Sequence, residues 1–177
     1  MKKLILTALV AVSALTANAQ AWMGGSLGLN IRDYENPLES QTDIKIAPEI
    51  GYSLNDNWDI AVALSYANTK NLNGLKDANL TTYAIEPYAR YTFAKTGIAS
   101  FFVDGGVGIG ASKPKGGDSV STFYVGVQPG VKVALSDKVC LVTKLGKLGY
   151  TSVEDTYSEF GFGVDNSAIN FGLYFAL

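Results

Sequence analysis

Apolar side chains recur at every second position through most of this chain, and nowhere more plainly than in its last eight residues. Phe171, Leu173, Phe175 and Leu177 fall on one face of that run, and Asn170, Gly172, Tyr174 and Ala176 on the other, because successive strand side chains point to opposite sides. The same alternation picks out eight candidate strands, at residues 23–31, 44–54, 58–66, 83–93, 101–109, 123–135, 139–145 and 170–177. No helical period of comparable length competes beyond the first twenty residues.

The connections alternate in length. Residues 55–57, 94–97 and 136–138 make short turns, whereas 33–42, 68–80 and 151–165 make long loops and 112–119 an intermediate one. An even strand number with short turns at one end and longer loops at the other is the layout of an outer-membrane barrel, and it puts both termini on the periplasmic side. A soluble β-sandwich would also show short strands, so the faces decide. The less apolar face is rich in small residues, among them Gly24, Gly28, Gly51, Ala61, Ala63, Gly106, Gly108, Gly110, Gly126, Gly130 and Gly172. These suit the crowded bore of an eight-stranded barrel, which side chains alone can fill. On a solvated face, β-branched polar residues would hold a strand better.

Residues 1–19 carry a charged start at Lys2 and Lys3, an apolar run from Leu4 to about Thr16, and the small residues Ala17 and Ala19, as a secretory signal peptide does. The run is too short to span a bilayer as a helix, which takes about 20 residues. The expected division is a signal peptide at 1–19 and one barrel domain at 20–177. Cys140 is the only cysteine, so no internal disulfide and no lipid-modified cysteine after the signal are possible. Removing Lys2 and Lys3 from the 14 basic side chains leaves them well short of the 16 acidic ones, which argues against a nucleic-acid partner.

Aromatic residues sort by height along the strands. Tyr52, Trp58, Tyr91, Phe93, Phe101 and Phe175 lie near the short turns or the C-terminus, and Tyr66, Tyr83 and Phe123 near the long loops, implying two interfacial girdles. Trp22 departs from the pattern, since parity points it inward. Pro48, Pro87 and Pro129 each stand seven residues before a short turn, and a proline lacks the N–H a closed ladder uses, so each predicts a bulge or a missing ladder bond.

The terminal run resembles the assembly signal of outer-membrane barrels, with the polar Asn170, Gly172, and the hydrophobic Phe175 and Leu177, the last being Leu where Phe is commoner. That resemblance implies a contact with the barrel-assembly machinery. With the descending-strand prolines, the mature chain as a whole resembles the porin-like outer-membrane β-barrel domain family, including small barrels of the outer membrane protein A, X and W types. The expected fold is therefore all-β, an eight-stranded antiparallel up-and-down transmembrane barrel, acting as a monomer among outer-membrane lipid and lipopolysaccharide.

Parity turns Arg32, Lys45, Glu49, Asp59, Glu86, Arg90, Asp104, Lys132 and Lys144 inward, five positive charges against four negative. Enclosed charges are costly unless paired. Glu49, Glu86, Arg90, Asp104, Lys132 and Lys144 are expected to form one interior network, to which Glu86 and Arg90 belong by their i, i+4 placement on one face of their strand. The chain has no histidine, which removes the general acid or base that outer-membrane deacylases, phospholipases and proteases use, and with it His-type metal sites. No catalytic residues, cofactor or metal ligands are expected. The acidic stretch with Glu154, Asp155, Glu159 and Asp165 could reach lipopolysaccharide phosphates through divalent cations. A structural or interaction surface with loops outside and a filled interior is the expected function; a narrow porin-like channel is the alternative, and a lipocalin-like soluble barrel would need the faces reversed.

Overall fold

The computed structural model describes residues 20–154, 157–163 and 170–177, so the expected signal peptide, Asp155 and Asp165 lie outside the described residues. Ten strand segments build the wall: β1 (Ala21–Arg32), β2 (Gln41–Ser53), β3 (Trp58–Lys70), β4 (Leu80–Thr96), β5 (Ala99–Pro114), β6 (Val120–Ala134), β7 (Val139–Lys144), β8 (Lys147–Val153), β9 (Tyr157–Gly163) and β10 (Asn170–Ala176). They fill eight positions, because β7 and β8 both pair with β6, while β10 pairs with β7 and β9 with β8. All pairings are antiparallel, and the ring closes where Trp22 to Ser26 of β1 meet Ala176 to Gly172 of β10. Closure matters because hydrocarbon offers no hydrogen-bond partner to a strand edge.

One expectation is corrected in extent. The stretch 151–165 is not one long loop, since β8 reaches Val153 and β9 begins at Tyr157, with Ser152 and Ser158 hydroxyls 3.0 Å apart across the pair. The seventh wall strand is also broken at Leu145 and Gly146. Its break faces Pro129, whose carbonyl accepts the Leu145 N–H at 2.8 Å. The other two prolines behave alike. Ladder pairing skips Ala47 and Pro48 between β2 and β3, and Glu86 and Pro87 between β4 and β5, always on the side of the following strand.

The oily half of each strand faces outward, with Leu27 77 % and Ile109 62 % exposed, values that only a lipid environment makes favourable. Cross-strand pairs sit at two heights on this wall, Trp58 against Tyr91 at 4.8 Å near the short turns and Tyr66 against Tyr83 at 5.3 Å near the loops. Phe93 is the extra residue of a bulge between Thr92 and Ala94 and stays on the outer face, 58 % exposed.

Inside, glycines make room for rings. Trp22 lies directly across from Gly51, Tyr174 from Gly24, Tyr88 from Gly106 and Phe102 from Gly130. A Cβ on Gly51 would stand 2.1 Å from the Trp22 ring, and one on Gly130 2.3 Å from that of Phe102. The small residues of the inner face are thus the seats of inward aromatics, which fill the bore without widening it. Gly130→Val should lose about 1–3 kcal/mol or more in urea unfolding of the folded barrel, by overpacking. Gly161→Ala, whose Cβ meets nothing within 4 Å, should leave the midpoint unchanged.

Candidate functional site

The lower lumen, on the short-turn side, is closed by a cluster of charges and rings. Arg90 is 1 % exposed and donates from Nε to Asp104 Oδ1 at 2.7 Å and from a terminal nitrogen to Oδ2 at 2.9 Å. The two residues are direct cross-strand partners on β4 and β5, so the fork meets the carboxylate without bending either strand. The Arg90 guanidinium lies 3.8 Å from the centroid of the Phe102 ring and within 5.8 Å of those of Trp22, Tyr88 and Tyr174. Such faces favour a cation stripped of water.

Glu49 forms the second half of the floor. Its carboxylate accepts from Lys144 Nζ at 3.0 and 3.1 Å, from the Tyr174 hydroxyl at 2.7 Å and from the Tyr88 hydroxyl. Lys144 also stands 3.6 Å from Asp104, which joins the two ion pairs into one neutral group of four charges. Trp22 stacks on Tyr174 at 4.8 Å, and Phe102 and Val142 are almost fully buried beneath. Among the described residues, no buried side-chain nitrogen or oxygen lacks a hydrogen-bond partner.

Of the six residues expected to form the interior network, the structure brings Glu49, Arg90, Asp104 and Lys144 together and leaves out Glu86 and Lys132. The reason is register. Glu86 is four residues farther from the short turn than Arg90, about 13 Å along the strand at roughly 3.3 Å per residue, and its carboxylate accepts from Ser65 Oγ at 3.2 Å instead. The residue of β6 opposite Asp104 is Gln128, so Lys132 sits four positions nearer the turn, lining a small cavity of about 150 Å³ with Asp59 and Asp137. Glu86 therefore stands apart from the cluster in which Arg90 pairs with Asp104.

Sequence reasoning passed over Tyr88, Tyr174, Trp22 and Phe102 as site residues. Parity alone places all four inward, and large rings on an inner face rich in glycine and alanine, close to the inward charges, were the available signal. In the terminal run, Phe175 and Leu177 point outward, 44 % and 64 % exposed, while Asn170 and Gly172 face the lumen. Glu154 binds back to β6, its N–H donating to the Ser121 carbonyl at 2.9 Å, and Glu159 lies on β9 opposite Thr151.

Above the floor the bore is open toward the long loops. A cavity of about 560 Å³ is walled by Lys45, Glu86, Tyr124, Lys147 and small hydroxyl side chains, with Leu80, Val120 and Val153 at its loop end, and a space of about 320 Å³ beneath it, sharing the first four, reaches Asp104 and Lys144. At the rim, the loops 33–40 and 71–79 are tied together. The Glu39 N–H donates to the Gly74 carbonyl at 2.8 Å, Asn71 Nδ2 to Glu39 Oε2 at 3.1 Å, and the Asn73 N–H to Gln41 Oε1 at 2.9 Å. Gly74, at φ +75°, lies against Tyr34 and Leu38, where a Cβ would come within 2.9 Å of both. Lys115 reaches over to Asp77 at 3.0 Å and holds its carboxyl below the usual range.

A closed antiparallel ring with an oily outer wall and a polar, packed bore defines an integral β-barrel of a Gram-negative-type outer membrane. The chain belongs to the outer membrane protein beta-barrel domain family, whose model matches residues 4–176. Its fold is similar to the crystal structure of Neisserial surface protein A, at 18 % identity over 90 % of this chain and 96 % of that one, with a TM-score of 0.55. The Yersinia pestis outer membrane protein Ail in a phospholipid bilayer nanodisc is also similar, at 14 % identity over 90 % of this chain and 100 % of that one, with a TM-score of 0.47. No curated protein matches the chain.

The floor makes a sharp mutational forecast. Asp104→Asn removes the counter-charge of a buried guanidinium and should lower unfolding stability by about 3–5 kcal/mol. Glu86→Ala breaks one hydrogen bond beside a cavity and should cost no more than about 1.5 kcal/mol. Urea titration of both variants in lipid or detergent checks the order.

Proposed function

We propose that this protein is a membrane-anchored surface and interaction protein, its lumen sealed by the floor and its tied loops presented outside the cell. The observation that carries the reading is the four-charge cluster around Arg90 and Glu49, neutral, hydrogen-bonded throughout and packed beneath by Phe102 and Val142. A through-path for solutes would require those partners to separate, and breaking a buried pair costs about 3–5 kcal/mol. In this reading both termini and the short turns are periplasmic. Asn170, Gly172, Phe175 and Leu177 address the barrel-assembly machinery, and lipopolysaccharide surrounds the loop-side wall. The absence of histidine fits a role without acid–base chemistry.

The loop rim favours an interaction role over mere anchoring, because the links from 33–40 to 71–79 and from Lys115 to Asp77 give it a defined shape. Planar-bilayer recordings on purified protein should be silent; steady conductance would move the reading to a narrow porin-like channel. Orientation is tested separately in a Cys140→Ser background. Asp118→Cys in the 115–119 loop should react with an impermeant maleimide on intact cells, and Asp137→Cys only after permeabilisation. The reverse pattern would invert the barrel.

A further inference from the structure

The upper lumen differs from the floor in one respect that packing does not explain. In the floor, all four charges have an opposite charge within 3.0 Å. Lys45, Glu86 and Lys147 face one cavity, yet among the described residues none of the three takes part in an ion pair within 4.0 Å. Among the described residues Glu86 accepts only from Ser65 Oγ, and the Lys147 ammonium rests 3.3 Å from the centroid of the Tyr124 ring. That ring is held flat to the wall, since a Cβ on Gly126 would stand 2.1 Å from its hydroxyl and one on Gly149 2.7 Å from its edge. Gly108 leaves the space into which Glu86 leans.

We propose that this cup is a binding site, open to the loop side, for a small hydroxylated anion of the sugar-acid or sugar-phosphate class. The floor beneath is neutral, so among the described residues lining the cup two ammonium groups stand against one carboxylate, a net positive charge whose field low-dielectric walls concentrate. An anionic group meets Lys45 and Lys147, with Lys147 leaving the face of Tyr124 to do so. Glu86 accepts from ligand hydroxyls, which a bare inorganic anion lacks, and Thr82 and Ser112, paired at 2.9 Å, offer further donors and acceptors. A space of about 560 Å³ lies within the range of small-molecule sites, about 300–1,000 Å³. Such an anion exists free or as an acidic unit of a surface glycan. The inference rests on the sealed floor, because a through-passage would make the same side chains a transit path.

Calorimetric titration of the barrel in lipid nanodiscs tests it, with galacturonate and glucose 6-phosphate as probes, polygalacturonate as the glycan arm, and glucose and inorganic phosphate as controls. Saturable binding of at least one acidic sugar is expected, about tenfold or more tighter than either control, and about tenfold or more weaker in Lys45→Gln/Lys147→Gln. Preference for polygalacturonate over galacturonate would assign the glycan source, and the reverse the free one. Should the double variant lose heat-modifiable migration, amide and Tyr124 ring shifts on titrating the unmodified protein report the same site. Absence of binding by all three acidic probes, equal binding of inorganic phosphate, unchanged affinity in a folded double variant, or shifts that bypass Tyr124 would each overturn the proposal. Conductance on the same preparation identifies a failure of the sealed floor independently of these outcomes.

Discussion

Hydrocarbon on the outside is the condition from which the rest of this structure follows. A strand edge in lipid has no partner for its N–H and C=O groups, so the sheet closes on itself through β1 and β10, and its polar content turns inward. Eight positions give a bore only about as wide as the side chains that fill it. A charge buried at the packed floor of that bore must find its counter-charge within it. Arg90, Asp104, Lys144 and Glu49 meet that demand as one neutral group, and the hydroxyls of Tyr88 and Tyr174 use the remaining acceptor capacity of Glu49.

Space is the second demand, and it explains the glycines. Each large inward ring of the floor stands across the ladder from a glycine, so ring and gap alternate around the bore rather than competing for one height. The upper half follows another rule. Tyr124 is seated in the same manner, but the charges around it stay apart and leave volume. A filled lower half and an open upper half make a cup, and the tied loops set its rim.

How much of this is legible in sequence depends on whether parity or register is asked for. Parity separates Ile60 and Val62 on the lipid face from Asp59 and Ala61 on the inner one, and it turned Trp22 inward where a girdle position would have turned it out. It reports nothing about height. Inward parity groups Lys132 with Asp104, whereas the pairing of β5 with β6 sets Gln128 level with Asp104 and Lys132 four positions nearer the turn. Glu86 stands apart from the Arg90 cluster for a related reason, because residues four apart on a strand stand about 13 Å apart and not one above the other as on a helix. The prolines carried more register information than the charges did, since each marks a local gap in the ladder. The break after β7 and the extension of β8 and β9 were hidden by Leu145, Gly146 and an acidic stretch that reads as loop.

The central claim is that a desolvated Arg90 to Asp104 pair seals the lumen, and side-chain nitrogen NMR addresses it directly. The chain has only two arginines, Arg32 exposed at the loop end of β1 and Arg90 buried, so two Nε–H signals are expected. In lipid nanodiscs the Arg90 proton should exchange slowly with water and shift on Asp104→Asn, while that of Arg32 exchanges rapidly. Equally rapid exchange at both would mean that water passes through the floor, and the sealed barrel described here would be wrong.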